Sequence, residues 1–482
     1  MEVAGKKVLV IGAARSGIAA ARFLAARGAI VALNDRKPVA EWSDEAQSLK
    51  AEGVGLLGGD VPSWLLDQLE LVVLSPGVPS KGIPVRYAER AGVEVIGEIE
   101  LAGRFLRGRV VAITGTNGKT TTTTLIGELL RDAGLPVQVG GNIGTPLVSL
   151  VDTSHDDGWT IVEVSSYQLE TIVGFHPTIA VVLNLMPDHM DRYESMTDYA
   201  AAKHRIFRNQ TAGDVAVLNA DDEIVSAWAA NLRAHAVMFS VTRELDEGLF
   251  LRRDTQEIVS RGQLREGDTD GRGGKSERVL MRRDEMKLLG LHNVQNVLAA
   301  LAAGLGCGAS PDSMRETVKR FAPVEHRLER VAEIEGVTFY NDSKATNVDA
   351  ALKALEAFAE APGRVVLILG GRGKHAPYAP LAPLIRAKAR ALVIIGEDAD
   401  RIESELNTHA PATARAADMR DAVRRAHRMA EAGDIVLLAP ACASFDMFDS
   451  YEHRGRVFKE AVKAMMNDER GMMSEKQKVS VL

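Results

Sequence analysis

Short runs of β-branched and aliphatic residues return along this chain at intervals filled by amphipathic stretches, and that alternation restricts the fold more than any other feature of the sequence. The first hundred residues carry four such runs, Lys7–Ile11, Ile30–Leu33, Leu71–Leu74 and Val93–Ile96, with a helical pattern at Ile18–Ala26. A second series runs through Val110–Ile113, Ile161–Val164, Ile179–Leu183, Val215–Leu218 and Ala236–Phe239, and ends in the helical pattern His292–Leu305. A third comprises Val337–Tyr340, Val365–Leu369, Leu392–Ile395 and Ile435–Leu438, with amphipathic stretches such as Met419–Ala430. Strands that alternate with helices need right-handed crossovers, so the expected class is α/β with mostly parallel sheets and ligand sites beyond the carboxyl ends of the strands.

A length of 482 residues, at roughly 150 residues per domain, agrees with three units. The joints are expected near Arg107 and Glu325, giving domains over 1–106, 107–325 and 326–482. Composition is that of an ordinary globular chain, 46% hydrophobic and 26% charged, which excludes disordered, collagen-like and coiled-coil classes. With 58 basic and 65 acidic residues the net charge is −7, so no global field draws nucleic acid and no nucleic-acid partner is expected. Two distant cysteines, Cys307 and Cys442, make neither a disulfide framework nor a four-thiolate metal site. Cys442, set among small residues with no evident histidine partner, reads as a buried structural thiol. The longest charge-free stretch near the middle, Ala133–Val151, contains four glycines and two prolines and is no membrane span. The apolar run Val8–Ile11 is too short for a signal segment. A cytoplasmic setting follows as the expectation. Arg265–Ser276, REGDTDGRGGKS, reads as an exposed hairpin loop, and the tail after Asn467 as frayed.

The most specific local signal is Ala112–Thr121, AITGTNGKTT, where a strand runs into a glycine-rich turn and a helix beginning near Lys119. Backbone N–H groups from Gly115 to Thr120 suit phosphate oxygens, Lys119 supplies charge, and the Thr120 hydroxyl suits Mg²⁺. The stretch departs from the general phosphate-loop pattern in having Ile113 where the first glycine stands. Gly12–Gly17, GAARSG, also follows a strand and opens a helix, with Asp35 ending the next strand where a ribose is read. Ala14 replaces the second glycine of the dinucleotide fingerprint, so a nucleotide site and a plain packing turn remain equally open, and a nicotinamide oxidoreductase is the reading this motif supports.

Glu163 ends one strand, and Asp188, His189 and Asp191 follow another; alone, either aspartate is a helix N-cap, while together they suit a divalent metal or a substrate. No aspartate ends a strand at the usual second phosphate-loop position, which disfavours a switch GTPase. Three further strand-to-loop transitions, Asn341–Asn347 (NDSKATN), Gly370–Lys374 (GGRGK) and Ala439–Phe445 (APACASF), share one expected sheet edge.

In order from Thr114 to Phe448 the chain carries TGTNGKT, EVSSYQLE, NLMPDHMDRY, AAKHRIF, HNVQN, EHRLE, NDSKATN and SFDMF. In these motifs it resembles the Mur ligase family, and NDSKATN with PACASFDMF points to the branch that joins D-glutamate to UDP-N-acetylmuramoyl-L-alanine. The resemblance implies an N-terminal Rossmann-like domain for the UDP-sugar, a central P-loop ATPase domain and a C-terminal Rossmann-like domain for the amino acid. It implies ATP contacts at Gly115, Thr116, Asn117, Gly118, Lys119, Thr120 and Thr121, with His292 and Asn296 near the adenine and Arg327 and Asp342 bringing the third domain onto ATP. It implies Mg²⁺ at Thr120 and Glu163, a second metal at His189, and a carbamylated Lys203 as anionic metal ligand. Ser16, Asp35, Arg36 and Asn142 fall on the UDP-substrate side. Lys374 and Ser444 match the contacts to the D-glutamate carboxylates, with Thr346, Lys344 and the aromatic Tyr451 around them. Lys119, His189, Lys203, Asp188 and Lys344 are the residues implied for the chemistry, Asp188 or His189 assisting deprotonation of the incoming amine. A monomer acting on small molecules is implied. A sister ligase for another amino acid, and a nucleotide-binding regulator without turnover, stand beside the oxidoreductase as alternatives.

Overall fold

A computed structural model describes the chain except residues 80–81, 143, 189, 191, 263–276, 323–324, 360, 374–375 and 480–482; of residue 83 and of 467–479 it describes the backbone alone. The loop expected at Arg265–Ser276 lies outside the described residues. Two compact units result, Met1–Glu285 with Gln295–Arg320, and Met286–Val294 with Phe321–Leu482.

The first unit holds two sheets. Strands β1 (Lys7–Ile11), β2 (Ile30–Asp35), β3 (Gly55–Gly58), β4 (Leu71–Leu74) and β5 (Glu94–Gly97) lie in the order 3-2-1-4-5, all parallel. Alternate residues serve the two faces: Val8, Val10, Leu33, Val73 and Ile96 join one core with helix α1 (Arg15–Ala26), and Leu9, Ile11, Val72 and Leu74 join another. Burial on both faces explains why β1 and β4 read as continuous apolar runs. The order reverses at β1, the switch point at which such sheets bind ligands.

Helix α2 (Glu98–Gly103) leads into the second sheet. Its strands are β6 (Arg109–Thr114), β7 (Val137–Gly141), β8 (Trp159–Glu163), β9 (Ile179–Val182), β10 (Val215–Asn219), β11 (His235–Ser240), β12 (Gly248–Arg252), β13 (Glu257–Arg261) and β14 (Glu277–Arg282), in the order 14-13-12-11-10-9-6-8-7. β6 is central, with Ala112 opposite Val162 on one side and Ala180 on the other. The last two strands pair antiparallel and flank in sequence the stretch Arg265–Ser276 that reads as a hairpin loop. Arg252 and Arg261 there pair with Glu244 and Glu277, so charge alternates with buried Leu249, Leu251, Ile258 and Val259. Ile99 and Leu101 of α2 share one apolar core with Leu147 and Val148 of the second sheet's connections, which places the first two sheets in one unit.

The α2 segment is tied by charge as well. The Glu100 side chain, fully buried, accepts from the N–H groups of Val173 (2.9 Å), Gly174 (3.0 Å) and Phe175 (2.8 Å) and from Arg104 Nε (2.8 Å). These donors hold its carboxyl below the usual range against burial, which acts the other way.

In the second unit β15 (Glu329–Ile334), β16 (Val337–Asn341), β17 (Val365–Gly370), β18 (Ala389–Ile395), β19 (Thr413–Arg415) and β20 (Ile435–Leu438) lie in the order 15-16-20-17-18-19. Only the β15–β16 pair is antiparallel. Both faces are covered, one core containing Ala351 and Leu355, the other Ala422, Val423, Phe458 and Val462. The tail expected as frayed is helical to Val479, within a helix starting at Tyr451; its Glu, Lys, Gln and Met residues are good helix formers. No helix among the described residues is long and apolar enough to cross a membrane.

Because Glu100 alone satisfies three backbone donors, Glu100→Ala is expected to destabilise the chain by about 3 kcal/mol, with Glu100→Gln costing less. Urea unfolding of the two variants checks this, and equal stability of wild type and Ala variant would refute the role.

Candidate active site

At the end of β6 the chain turns through Gly115–Gly118 into helix α3 (Lys119–Asp132). Gly118 has φ +85°, and a Cβ there would lie 2.2 Å from Asn296 Oδ1, so only glycine fits this corner. The N–H groups of Thr116 and Asn117 do not face outward: they donate to Asn184 O (2.9 Å) and Asn184 Oδ1 (2.8 Å). These two N–H groups of the loop are therefore engaged by the segment after β9. Lys119 Nζ arches over the loop and donates to the carbonyls of Gly115 (2.9 Å) and Thr116 (2.8 Å). The Thr116 hydroxyl donates to Met186 O (3.2 Å) and accepts from Met186 N (3.0 Å), which stitches the loop to the segment after β9.

Glu163, 2% exposed, lies beside the loop at the end of β8. Thr120 Oγ1 donates to one of its oxygens and Asn142 Nδ2 to the other, each at 2.9 Å. Lys203, 1% exposed, donates to Gly115 O (2.9 Å), and its ammonium lies over the Tyr199 ring at 4.7 Å. Burial, then repulsion from Lys119, lowers its pKa well below that of an ordinary lysine, while Asp188 and Glu163 oppose the shift. The structure thus gathers Lys119, Thr120, Asn142, Glu163, Asp188, Lys203 and Asn296 around one strand end. Thr121 is buried in the first turn of α3. His189 and Asp191 lie outside the described residues.

At the switch point of the first sheet Asp35 accepts from Ala13 N (2.9 Å) and Lys37 N (3.1 Å), closing the turn between β1 and α1. A Cβ on Gly17 would fall 1.8 Å from Gly12 O, so this glycine permits the helix to approach the strand. Ser16 is half-buried and Arg36 exposed on the same edge.

In the second unit the loops after β16, β17 and β20 converge. Lys344 Nζ donates to Tyr451 Oη (2.9 Å), Thr346 N to Lys344 O (2.8 Å), and Arg372 and Ala443 exchange backbone bonds of 3.0 Å. Arg454, fully buried, donates to Ser343 O (2.7 Å), Ser343 Oγ (3.0 Å) and Cys442 O (3.1 Å), and so fixes two of the loops to each other. Ser444 is buried beside them, whereas Lys374 lies outside the described residues. Cys442 lies 2.9 Å from the Tyr378 hydroxyl, and burial pushes its thiol up to about 11. Asp342 is raised to about 7 by burial, with Arg327 opposing. His292 in the same unit is lowered to about 4 by burial, then by Lys353 and Arg327. Sequence reading missed Asn184, Tyr199 and Arg454; Asn184 alone had a signal, its place directly after a strand.

A parallel sheet whose central strand feeds a glycine-rich turn and a helix, with lysine and threonine opening that helix, defines an α/β protein of the phosphate-loop class. Comparison with known families narrows this. The MurD-like N-terminal domain of Mur ligases matches residues 6–97, the Mur ligase middle domain 113–304, and the Mur ligase glutamate ligase domain 326–442. The UDP-N-acetylmuramoylalanine–D-glutamate ligase of Koribacter versatilis is 45% identical over 470 residues, covering 98% of this chain and 100% of that one. That of Pelotomaculum thermopropionicum is 47% identical over 458 residues, 95% and 97% of the two chains. Among solved structures, a pseudomurein peptide ligase type C from Methanothermus fervidus aligns with TM-score 0.59 at 18% identity over 96% of this chain and 100% of that one. The UDP-N-acetylmuramate–alanine ligase of Thermotoga maritima aligns with TM-score 0.58 at 20% identity over 95% and 100%. These last two show a shared fold. The chain belongs to the Mur ligase family.

The buried acid Asp342 gives a pH test. Its folded pKa, about 7, lies above its ordinary 3.8, so stability is fully present below the lower value and is lost as pH rises through the higher one. Asp342→Asn removes this titration, and its advantage over wild type in ligand-free unfolding is expected to grow by about 2 kcal/mol between pH 5 and pH 8. A pH-independent difference would refute the assignment.

Proposed function

We propose that this chain is the ATP-dependent ligase that joins D-glutamate to UDP-N-acetylmuramoyl-L-alanine through an acyl phosphate, in the synthesis of peptidoglycan precursors. The observation that carries the reading is the bridge at Glu163, where a buried carboxylate meets the Thr120 hydroxyl at the mouth of a phosphate loop, in a chain 45% identical over 98% of its length to a ligase of that name. We assign residues 1–106 to the UDP-sugar, through Ser16, Asp35 and Arg36, 107–325 to ATP, and 326–482 to D-glutamate. The enzyme acts as a cytoplasmic monomer without a nucleic-acid partner.

The donor chemistry fits Mg²⁺. Thr120 and Glu163 offer hard oxygens 2.9 Å apart, and the two groups that now hold Glu163, a hydroxyl and an amide, are neutral. A bound Mg²⁺ would supply charge screening where the substrate carboxylate meets the terminal phosphate. The protein's own part is to bring two anions together: the first turn of α3 binds phosphate oxygens through N–H groups, and the Lys119 ammonium cancels charge at the loop. Asn142, held on Glu163, orients the UDP-substrate side.

The buried Lys203 amine is held toward its neutral form, the form whose lone pair adds to carbon dioxide, so the carbamate expected from the family has a physical cause here. With the proton lost from nitrogen, the side chain becomes an anion suited to a second metal with His189. Asp188, which acts electrostatically on Lys203 and Tyr199, and His189 are the groups assigned to receive the proton of the incoming ammonium. Lys344, Thr346, Lys374, Ser444 and Tyr451 hold D-glutamate, and Arg327, Asp342, His292 and Asn296 contact ATP.

Phosphate release from ATP is expected to require both UDP-N-acetylmuramoyl-L-alanine and D-glutamate; release without D-glutamate, or equal use of another amino acid, would overturn the reading. Lys119→Ala is expected to lower ligation by about a thousandfold or more and to leave binding of the UDP-substrate within a few-fold, as read by calorimetric titration. Parallel loss of both would contradict the division of labour.

A further inference from the structure

The glycine-rich turn after β6 is met from the side by the segment that follows β9. The two backbones approach closely: a Cβ on Gly115 would lie 3.0 Å from Leu183 Cβ and 3.3 Å from Asn184 N. The ladder between the two strands ends with Leu183 N donating to Thr114 O (3.1 Å), and the next residue carries the pairing onto the loop. The half-buried Asn184 engages Asn117 twice, its Oδ1 accepting from Asn117 N at 2.8 Å and its Nδ2 donating to Asn117 O at 3.1 Å. Its own carbonyl accepts from Thr116 N at 2.9 Å. A side-chain amide, which donates and accepts at once, thereby gives the loop the partner that a neighbouring strand would give.

Asn184 is itself braced from the end of β10. Asn219 Nδ2 donates to Leu183 O at 2.7 Å, and Asp222 Oδ2 accepts from Leu185 N at 2.6 Å. These bonds hold the residues immediately before and after Asn184. Their anchors are rigid: Asn219 is 2% exposed and its Oδ1 accepts from Asp221 N at 2.9 Å. Asp222 caps helix α4 (Glu223–Trp228), its Oδ1 accepting from Ile224 N at 3.1 Å and Val225 N at 3.0 Å. A chain of hydrogen bonds therefore runs from the end of β10, through residues 183–185, to the phosphate loop.

That loop has conformational freedom to lose. Gly115 has φ +152° and Gly118 φ +85°, and a loop with two such glycines in four residues is ordered at an entropic cost. Bonds within the protein that already fix one conformation reduce the part of this cost that falls on nucleotide binding.

We propose that Asn184 is a positioning residue for ATP: it sets the phosphate loop through Asn117, and Asp222 acts through it by fixing Leu185. The inference rests on the ATP-dependent reading above. Without the Asn184 amide the nucleotide has to order the loop as it binds. That cost is the same in the ground state and the transition state, so it enters KM for ATP and not kcat.

Steady-state phosphate release by the full chain, with ATP and Mg²⁺ varied together and both other substrates saturating, separates the two constants. Asn184→Ala is expected to raise KM for ATP about tenfold or more and to leave kcat within about threefold. KM for UDP-N-acetylmuramoyl-L-alanine at saturating ATP is expected to stay within about threefold. A merely structural role would lower the fraction of folded enzyme, which reduces kcat and moves neither KM. Asp222→Ser keeps an oxygen for the cap of α4 but offers no second one to Leu185, and is expected to raise KM for ATP about threefold or more. Because Asp222 acts through Asn184, adding Asp222→Ser to Asn184→Ala is expected to change KM by less than about twofold. An unchanged KM for ATP in Asn184→Ala, a fall in kcat alone, or full multiplication of the two effects in the double variant overturns the inference and leaves the ligase reading standing. Should Asn184→Ala fail to fold, as shown by loss of UDP-substrate binding, Asp222→Ser decides by the same comparison. Absence of any substrate-dependent release from the wild type removes the ligase reading, and the inference with it.

Discussion

The phosphate loop is fastened at Gly115 by the buried amine of Lys203. Its Nζ donates to Gly115 O at 2.9 Å, and Lys119 donates to the same carbonyl at 2.9 Å. Burial, and after it repulsion from Lys119 on the same carbonyl, lowers the pKa of Lys203 well below that of an ordinary lysine. Gly115 O is therefore held by two lysine side chains, of which the more deeply buried has its proton affinity lowered. A leucine in place of Lys203 would leave Gly115 O to Lys119.

The same economy of charge organises the second unit. Arg454 is fully buried, with carbonyl and hydroxyl oxygens of Ser343, Cys442 and Ala443 as its acceptors. Burial lowers its pKa to about 10, yet it remains cationic at neutral pH. A planar fork of donors is what two loops from different strands need to be held in one geometry. Those loops carry Lys344 and Ser444, so Arg454 sets the spacing of groups it does not itself touch.

The strands that build the sheets were largely legible, because burial on both faces writes an uninterrupted apolar run, as in Leu71–Leu74 of β4, buried throughout, and in β17, where all six residues are buried. The phosphate loop was legible for a different reason, since glycine at φ +85° and the lysine–threonine pair are local demands. What stayed hidden depends on partners distant in sequence. β13 and β14 are held by arginine–glutamate pairs that read as solvated charge. The engagement of Thr116 and Asn117 with Asn184 crosses 67 or more positions of chain. The helical tail follows from propensity outweighing the loss of apolar period.

Three buried carboxylates show why burial alone does not decide charge. Glu100 receives three backbone N–H groups and Arg104, and its pKa is lowered. Glu98 receives Val148 N–H with Leu147 beside it, and Asp342 a single long bond of 3.4 Å from Leu328 N; both rise to about 7. The number and charge of the donors separates the cases, at about 1.4 kcal/mol for each tenfold shift in proton affinity. For a chain of net charge −7 whose proposed substrates are all anions, that separation matters. Of these three acids, the one that receives several backbone N–H groups and an arginine keeps its charge, and the two with fewer donors are held toward the protonated form.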